Sequence, residues 1–138
     1  MTTDSATIIQ RYFDQVWSAG DERAQAQLIA PNYSGYWLIA GMPVRQGPAG
    51  HLAWLNAIRA AMPDLRYTIE DMVVGDDAVA VRTTMSGTHR GDFFGLPPTG
   101  RSVRVNQINI EHFRDGRIVS HHRVTDMAEL MRQLGVTG

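Results

Sequence analysis

Cysteine is absent from the 138-residue sequence, which removes disulfides, thiolate metal sites and a cysteine nucleophile together. An excess of charge of either sign is also missing. Thirteen basic and fourteen acidic side chains leave a formal net charge of -1, and no basic run is long enough to make a surface for nucleic acid or anionic lipid. No apolar stretch could span a bilayer, and MTTDSATIIQ has neither the basic segment nor the apolar run of a secretory signal. A cytoplasmic location without membrane or nucleic-acid partners is therefore expected. No glycine-rich phosphate loop precedes a helix and no G-x-S-x-G elbow occurs, which speaks against nucleotide binding and serine hydrolysis. The five histidines are His51, His89, His112, His121 and His122. None form a helical i, i+4 pair, and the adjacent two point to opposite faces of a strand, so no metal site is expected.

What is present suits one globular domain over residues 1–138, with 43% hydrophobic and 20% charged side chains. Ile8, Ile9, Tyr12, Phe13, Val16 and Trp17 repeat along one helical face from about Ala6 to Ala19, with Ser5 as cap and Gly20 as terminator. Asp21 can cap a second helix through Leu28 and Ile29, closed before Pro31. YSGYWLI reads as a short strand. Pro48 opens a third helix carrying Leu52, Leu55, Ile58 and Met62 on its buried side, and Pro63 stops it. The period then changes to two, over 66–74, 78–88, 103–113 and 117–124, with Val79, Val81, Thr83 and Met85 on one side. Asp126 and Glu129 form a D-x-x-E cap for a last helix. Helices first, then a strand meander, then a terminal helix argue for an α+β fold.

Four strings carry a family likeness: YFDQVWSAGD, GPAGHLAWLNAIRAAMPDL, SGTHRGDFFGLPPTGR and HFRDGRIVSHHRVTDMAELMRQLG. With them the chain resembles the SnoaL-like polyketide cyclases, of the nuclear-transport-factor-type, cystatin-like fold. The resemblance implies a cone of helices packed on a strongly curved mixed or antiparallel sheet, an apolar interior closed by loops, and homo-oligomers (dimers or tetramers) through the outer sheet face. It also implies an intramolecular aldol ring closure on a polyketide ester with no metal or organic cofactor. The carboxylate that serves such cyclases as acid/base falls on Arg123. A family histidine on the preceding strand falls on Asn109, and another, two residues before the carboxylate, is matched by His121.

The turn in FRDGR decides which side chains meet. With Arg114–Asp115–Gly116 as a three-residue loop, Asn109 lies opposite His121 and Gln107 opposite Arg123; a two-residue loop puts Asn109 opposite His122. The family alignment favours the first. Gln107, Asn109, His121 and Arg123 then share a face with Val105, Phe113 and Val119, with Glu111 nearer the turn, an apolar wall with convergent polar groups. His121 is the candidate acid/base, Asn109 its tautomer-setting partner or a donor to an enolate oxygen, and Arg123 an oxyanion stabiliser. Gln107, Asp126, Tyr33, Trp37, Trp54, Trp17, Phe93 and Phe94 are candidate substrate contacts, FFGLPPTG a candidate lid.

Structural roles stand beside these: His121 bonded to Asn109, Arg123 paired with Glu111 or Asp126, Asp126 a helix cap, Arg82 and Asp71 solvated. Two other functions stay open as well. One is a non-catalytic binder of an apolar small molecule; the other is isomerisation or epoxide opening, although Thr84 after Arg82 and the arginine at 123 lack the acids that epoxide opening wants.

Overall fold

The computed structural model describes residues 4–136. In chain order it has α1 (Ser5–Arg11), a π-helical stretch (Tyr12–Ser18), α2 (Glu22–Leu28), β1 (Ile29–Trp37), β2 (Arg45–Gln46), α3 (Gly47–Ala61), β3 (Arg66–Val74), β4 (Ala78–Thr88), β5 (Ser102–Arg114), β6 (Arg117–Thr125) and α4 (Met127–Gln133). The sheet order is β2-β1-β6-β5-β4-β3. Every neighbouring pair is antiparallel except β1 and β6, which run parallel. The α+β expectation therefore holds, with a mixed sheet.

The first helical face is not α-helical throughout. Ala19 N bonds back to Asp14 O at 3.1 Å, five residues away, which widens the turn. In an α-helix residues five apart lie well round the cylinder from one another. Here Tyr12 and Trp17 turn to one side, ring centroids 6.4 Å apart, and Tyr12, Phe13, Val16 and Trp17 are all buried. Gly20 ends the stretch at φ +69°, and Arg59 of α3 donates to the free carbonyls of Trp17 and Ser18 at 2.9 and 2.7 Å. Asp4, not Ser5, is the first cap: its carboxylate accepts from Ala6 N at 3.3 Å and Ser5 is already helical.

β1 starts at Ile29, earlier than the aromatic string suggested. Pro31 lies where the β1–β6 register shifts, between Ile29 and Ser34, a place where a missing N–H costs no ladder bond. On β4 the buried side is Val79, Val81, Thr83 and Met85 as read, and on β5 it is Val103, Val105, Gln107, Asn109 and Glu111.

The β5–β6 turn corrects the register. Arg114 pairs with Arg117, so the loop has two residues; Asp115 (φ +54°) and Gly116 (φ +74°) are both left-handed, the Asp-Gly form of a tight hairpin. Phe113 pairs with Ile118 and His112 with Ser120, which leaves Val119 as an unpaired bulge residue. The bulge restores parity. Gln107, Asn109, His121 and Arg123 do share the inner face, but each is displaced by one pair: Asn109 faces Arg123, Gln107 faces Thr125, and Glu111 faces His121. Near the turn Ile118, not Val119, is the buried residue.

Candidate functional site

Thr83 and Asn109 on β4 and β5, Glu111 on β5, and His121 and Arg123 on β6 put their side chains on the inner face of the sheet, under the π-helical stretch and α3. All are buried. Alternation along the strands brings them inward; the aromatic residues of the helices close over them.

Arg123 donates through Nε to Asn109 Oδ1 at 2.9 Å and through Nη1 to the Tyr67 hydroxyl at 3.0 Å. Asn109 is held in turn, its amide nitrogen 3.2 Å from Thr83 Oγ1 and 3.3 Å from Val81 O. The guanidinium carbon lies 4.4, 5.0 and 5.1 Å from the ring centroids of Trp17, Trp54 and Tyr67. Each such contact is worth about 1–2 kcal/mol when desolvated, which offsets part of the cost of burying the charge. Among the described residues Arg123 makes no ion pair, so neither Glu111 nor Asp126 is its partner. Its Nη2 has no partner.

His121 is not bonded to Asn109. Its Nδ1 lies directly against a carboxylate oxygen of Glu111, the residue opposite it across the strands. Burial pushes the Glu111 carboxyl well above its usual range, opposed by the charge of Arg123. Burial first, then the charge of Arg123, holds His121 well below the usual imidazole value. Both effects favour an uncharged imidazole at neutral pH. Nε2 of His121 is buried without a partner, between the rings of Trp54 and Tyr12 at centroid distances of 5.3 and 5.9 Å. The Glu111 contact lacks hydrogen-bond geometry, so it is a close approach and not a formed bond. A neutral imidazole with a carboxyl against one nitrogen and the other nitrogen free can accept and return a proton.

A second polar chain lies beside it. Gln25 Nε2 donates to Pro48 O at 3.0 Å, which turns its oxygen to His51 Nδ1 at 2.6 Å; His51 Nε2 then accepts from the Tyr12 hydroxyl at 2.7 Å. Burial, then Arg123, holds the His51 pKa down to about 3, so this imidazole is also neutral. Tyr33, whose ring centroid is 5.2 Å from that of His51, is fully buried with its hydroxyl unpaired.

Towards the mouth, Gln107 Nε2 and Trp37 Nε1 both donate to Thr125 Oγ1 at 3.0 Å. Trp37 is the cross-strand neighbour of Arg123 and also lines an apolar hollow of about 220 Å³ with Ile39, Met42, Phe93, Phe94, Leu96, Met127, Met131 and Val136. Phe93 and Phe94 come from the loop read as a lid, and Phe94 is 44% exposed with φ +46°. The loop is tied at its base by His89 N to Arg101 O at 2.9 Å and by Thr99 N to His89 Nδ1 at 3.2 Å.

Of the residues singled out from sequence, His121, Asn109, Arg123, Gln107, Trp17, Trp54 and Tyr33 meet in the interior, and Trp37, Phe93 and Phe94 at the hollow. Asp126 joins neither group. It is exposed and caps α4, accepting from Glu129 N at 3.2 Å, while Glu129 turns to Arg132 and Gln133 instead of returning the bond. Arg82 and Asp71 are exposed strand neighbours, as read. Tyr67, Thr125 and the Tyr12–His51–Gln25 chain were not singled out as site residues. Apolar-periodic helices carry Tyr12 and His51, and nothing in such a pattern separates a polar inward residue from a core one.

Residues 7–134 match a family model described as SnoaL-like polyketide cyclase. The chain is similar to the aklanonic acid methyl ester cyclase AcmA of Streptomyces galilaeus, 41% identical over 125 residues that cover 88% of this chain and 84% of that one. Among solved structures it is similar to IdmH of Streptomyces antibioticus, with TM-score 0.83, 30% identity and coverage of 97% of this chain and 100% of the other. It is similar also to TsrD of Streptomyces laurentii, with TM-score 0.84, 28% identity and coverage of 98% and 99%.

Proposed function

The chain belongs to the SnoaL-like polyketide cyclase family, and from that premise we propose that it closes a ring on a polyketide-like substrate by an intramolecular aldol-type step run by His121, Glu111 and Arg123. The family supports an enzyme. The observation that carries the residue roles is the buried pairing of Glu111 with His121 Nδ1 beside a guanidinium whose Nη2 is free.

His121 Nε2 takes a proton from the carbon α to a carbonyl. The carbanion, delocalised onto oxygen as an enolate, attacks a ketone carbon of the same molecule, forming the carbon–carbon bond as the C=O π pair moves onto oxygen. That oxygen recovers the proton from Nε2, so substrate and product have the same composition. In its ionised form, whose share grows as pH rises because the carboxyl is raised, Glu111 accepts from Nδ1–H, leaves Nε2 as the basic nitrogen and steadies the imidazolium formed midway. Arg123 faces the oxygen on which charge develops, and Asn109 fixes the guanidinium in place. The sequence contains no lysine, so bond formation through a lysine imine is closed to it. The roles differ from those the resemblance implied: a carboxylate still takes part, but from β5 and through an imidazole.

The test uses the purified chain and aklanonic acid methyl ester, the compound the relative AcmA is named for, followed by chromatography and mass spectrometry. A ring-closed product of unchanged mass, lost at least about 100-fold in His121→Ala, is the expected result. Product formation untouched by His121→Ala would overturn the residue roles; saturable binding with no product would leave a non-catalytic binder.

A further inference from the structure

We propose that Arg123 receives an ionised oxygen group of the substrate, so that the interior takes its ligand as a delocalised oxyanion, a carboxylate or an ionised 1,3-dicarbonyl, in preference to a neutral ester. The inference rests on the reading above only in placing the substrate in this interior.

The argument starts from charge. Glu111 is the one buried carboxylate found among the described residues, and it is turned to His121. Arginine is not deprotonated in proteins, and here its two engaged nitrogens reach only neutral acceptors, Asn109 Oδ1 and the Tyr67 hydroxyl. A buried cation with hydrogen bonds but no counter-charge is an unfinished pair. The three aromatic rings lie against the guanidinium, and Nη2 is the nitrogen left without a partner. The indole N–H groups of Trp17 and Trp54, on rings flanking the guanidinium, are buried and unpaired as well. Nη2 is the free donor on the charge itself, and with no acceptor for the two indoles either, the interior is short of acceptors, which suits a ligand bearing negative charge.

Position supplies the direction of entry. Trp37, the neighbour of Arg123 across β1 and β6, lines the hollow, whose other side chains are all apolar. A ligand in that hollow keeps its apolar body among Trp37, Phe93 and Met131, and Arg123, paired with Trp37 across the strands, is the buried cation on that side of the sheet. An ester carbonyl would fill Nη2 but leave the charge uncompensated. Charge-assisted hydrogen bonds are about twice as strong as neutral ones, enough for roughly tenfold selectivity.

The experiment titrates the full chain at pH 7.5, by its tryptophan fluorescence, with matched probes: 2-naphthoic acid against its methyl ester, and 2-acetylcyclohexane-1,3-dione against its enol methyl ether. The expected result is at least about tenfold tighter binding of an anion than of its neutral partner, falling to near equality in Arg123→Gln. Preference confined to the acid identifies a carboxylate as the group recognised; preference confined to the dione identifies an enolate. Equal binding of both members of each pair, or a preference that survives Arg123→Gln, overturns the proposal. Should Arg123→Gln not fold, Arg123→Met takes its place, and a wild-type ratio at or below one is decisive alone. Ring closure of a neutral ester with no anion preference would sink this inference and leave the cyclase reading standing; anion preference without ring closure would do the reverse.

Discussion

Glu111 and His121 form the smallest unit that matters. If ionised Glu111 accepts from Nδ1–H while Nε2 does chemistry, Glu111→Gln keeps a neutral hydrogen-bonding partner but loses both that charge and the carboxyl titration that forms it. We expect kcat to fall about 10- to 1000-fold with KM little changed, and the pH profile of kcat to shift, measured on the substrate of the ring-closure assay. A merely packing role for Glu111 would leave that profile where it was.

His51 gives a stability prediction at the same scale. Its folded pKa of about 3 lies below the ordinary imidazole value of 6.5. Between those values the unfolded chain binds a proton that the folded chain refuses, so the contribution of neutral His51 is complete above pH 6.5 and is lost as pH falls towards 3. His121 is shifted the same way. Glu111 has the opposite sign: its carboxyl is raised, so its contribution is complete below the unfolded carboxylate value and lost as pH rises through the folded one. The midpoint of thermal unfolding should therefore fall steeply from pH 6.5 to 4. In His51→Gln the fall should be shallower, with at most about 5 kcal/mol of pH-dependent stability removed across the full window. Equal slopes in both proteins would contradict this.

At the scale of elements, the β1–β6 pairing sets a residue without a side chain beside His121, where Tyr33 needs the room. Gly35 is the cross-strand neighbour of His121, and a Cβ there would overlap the hydroxyl end of Tyr33 and lie 2.9 Å from its Cζ. Tyr33 is buried against His51 and has little room to retreat. Gly35→Ala should cost about 1–3 kcal/mol by denaturant unfolding, and combining it with Tyr33→Phe should recover part of that loss. Strict additivity of the two would rule out the overlap as the cause.

Elements are also where reading the sequence succeeded and stopped. Period-two alternation put Gln107 with Asn109 on one face of β5 and His121 with Arg123 on one face of β6 because alternation is local. The face shared by all four rested on an assumed three-residue loop and is restored in the structure by the Val119 bulge. The partner across the strand depends on a turn and a bulge. A left-handed Asp115 is a conformation aspartate tolerates without advertising it, and Val119 is an ordinary strand residue by composition. The same holds for the π-helical stretch: Tyr12, Phe13, Val16 and Trp17 fit an α-helical face well enough that only their packing against Tyr67 and α3 reveals the wider turn. Tyr67 was legible as a strand residue, but its bond to Arg123 spans 56 positions of chain, and no local pattern encodes such a meeting.

For the whole molecule, the outer face of the sheet is the surface to explain. Ile108, Ile110 and Val124 are 55%, 43% and 52% exposed on neighbouring strands, beside the stacked rings of Tyr36 and His122 at 4.6 Å. We propose that a second copy of the chain covers this face. Ile108→Glu with Val124→Glu should convert an oligomer to a monomer in analytical ultracentrifugation while the far-ultraviolet spectrum is kept. A wild-type chain sedimenting as a monomer at micromolar concentration would refute it. No helix among the described residues is long and apolar enough to cross a membrane.

Val119 has a further consequence. Because it is an unpaired insertion between Ile118 and Ser120, the hairpin carries one residue of slack. Removing Val119 would leave a regular ladder in which Ile118, His121 and Arg123 still look inward and Glu111 still meets His121. Removing His122 instead would turn Arg123 inside out. The chain can thus lose a link on the turn side of the imidazole and keep its interior, but not on the far side.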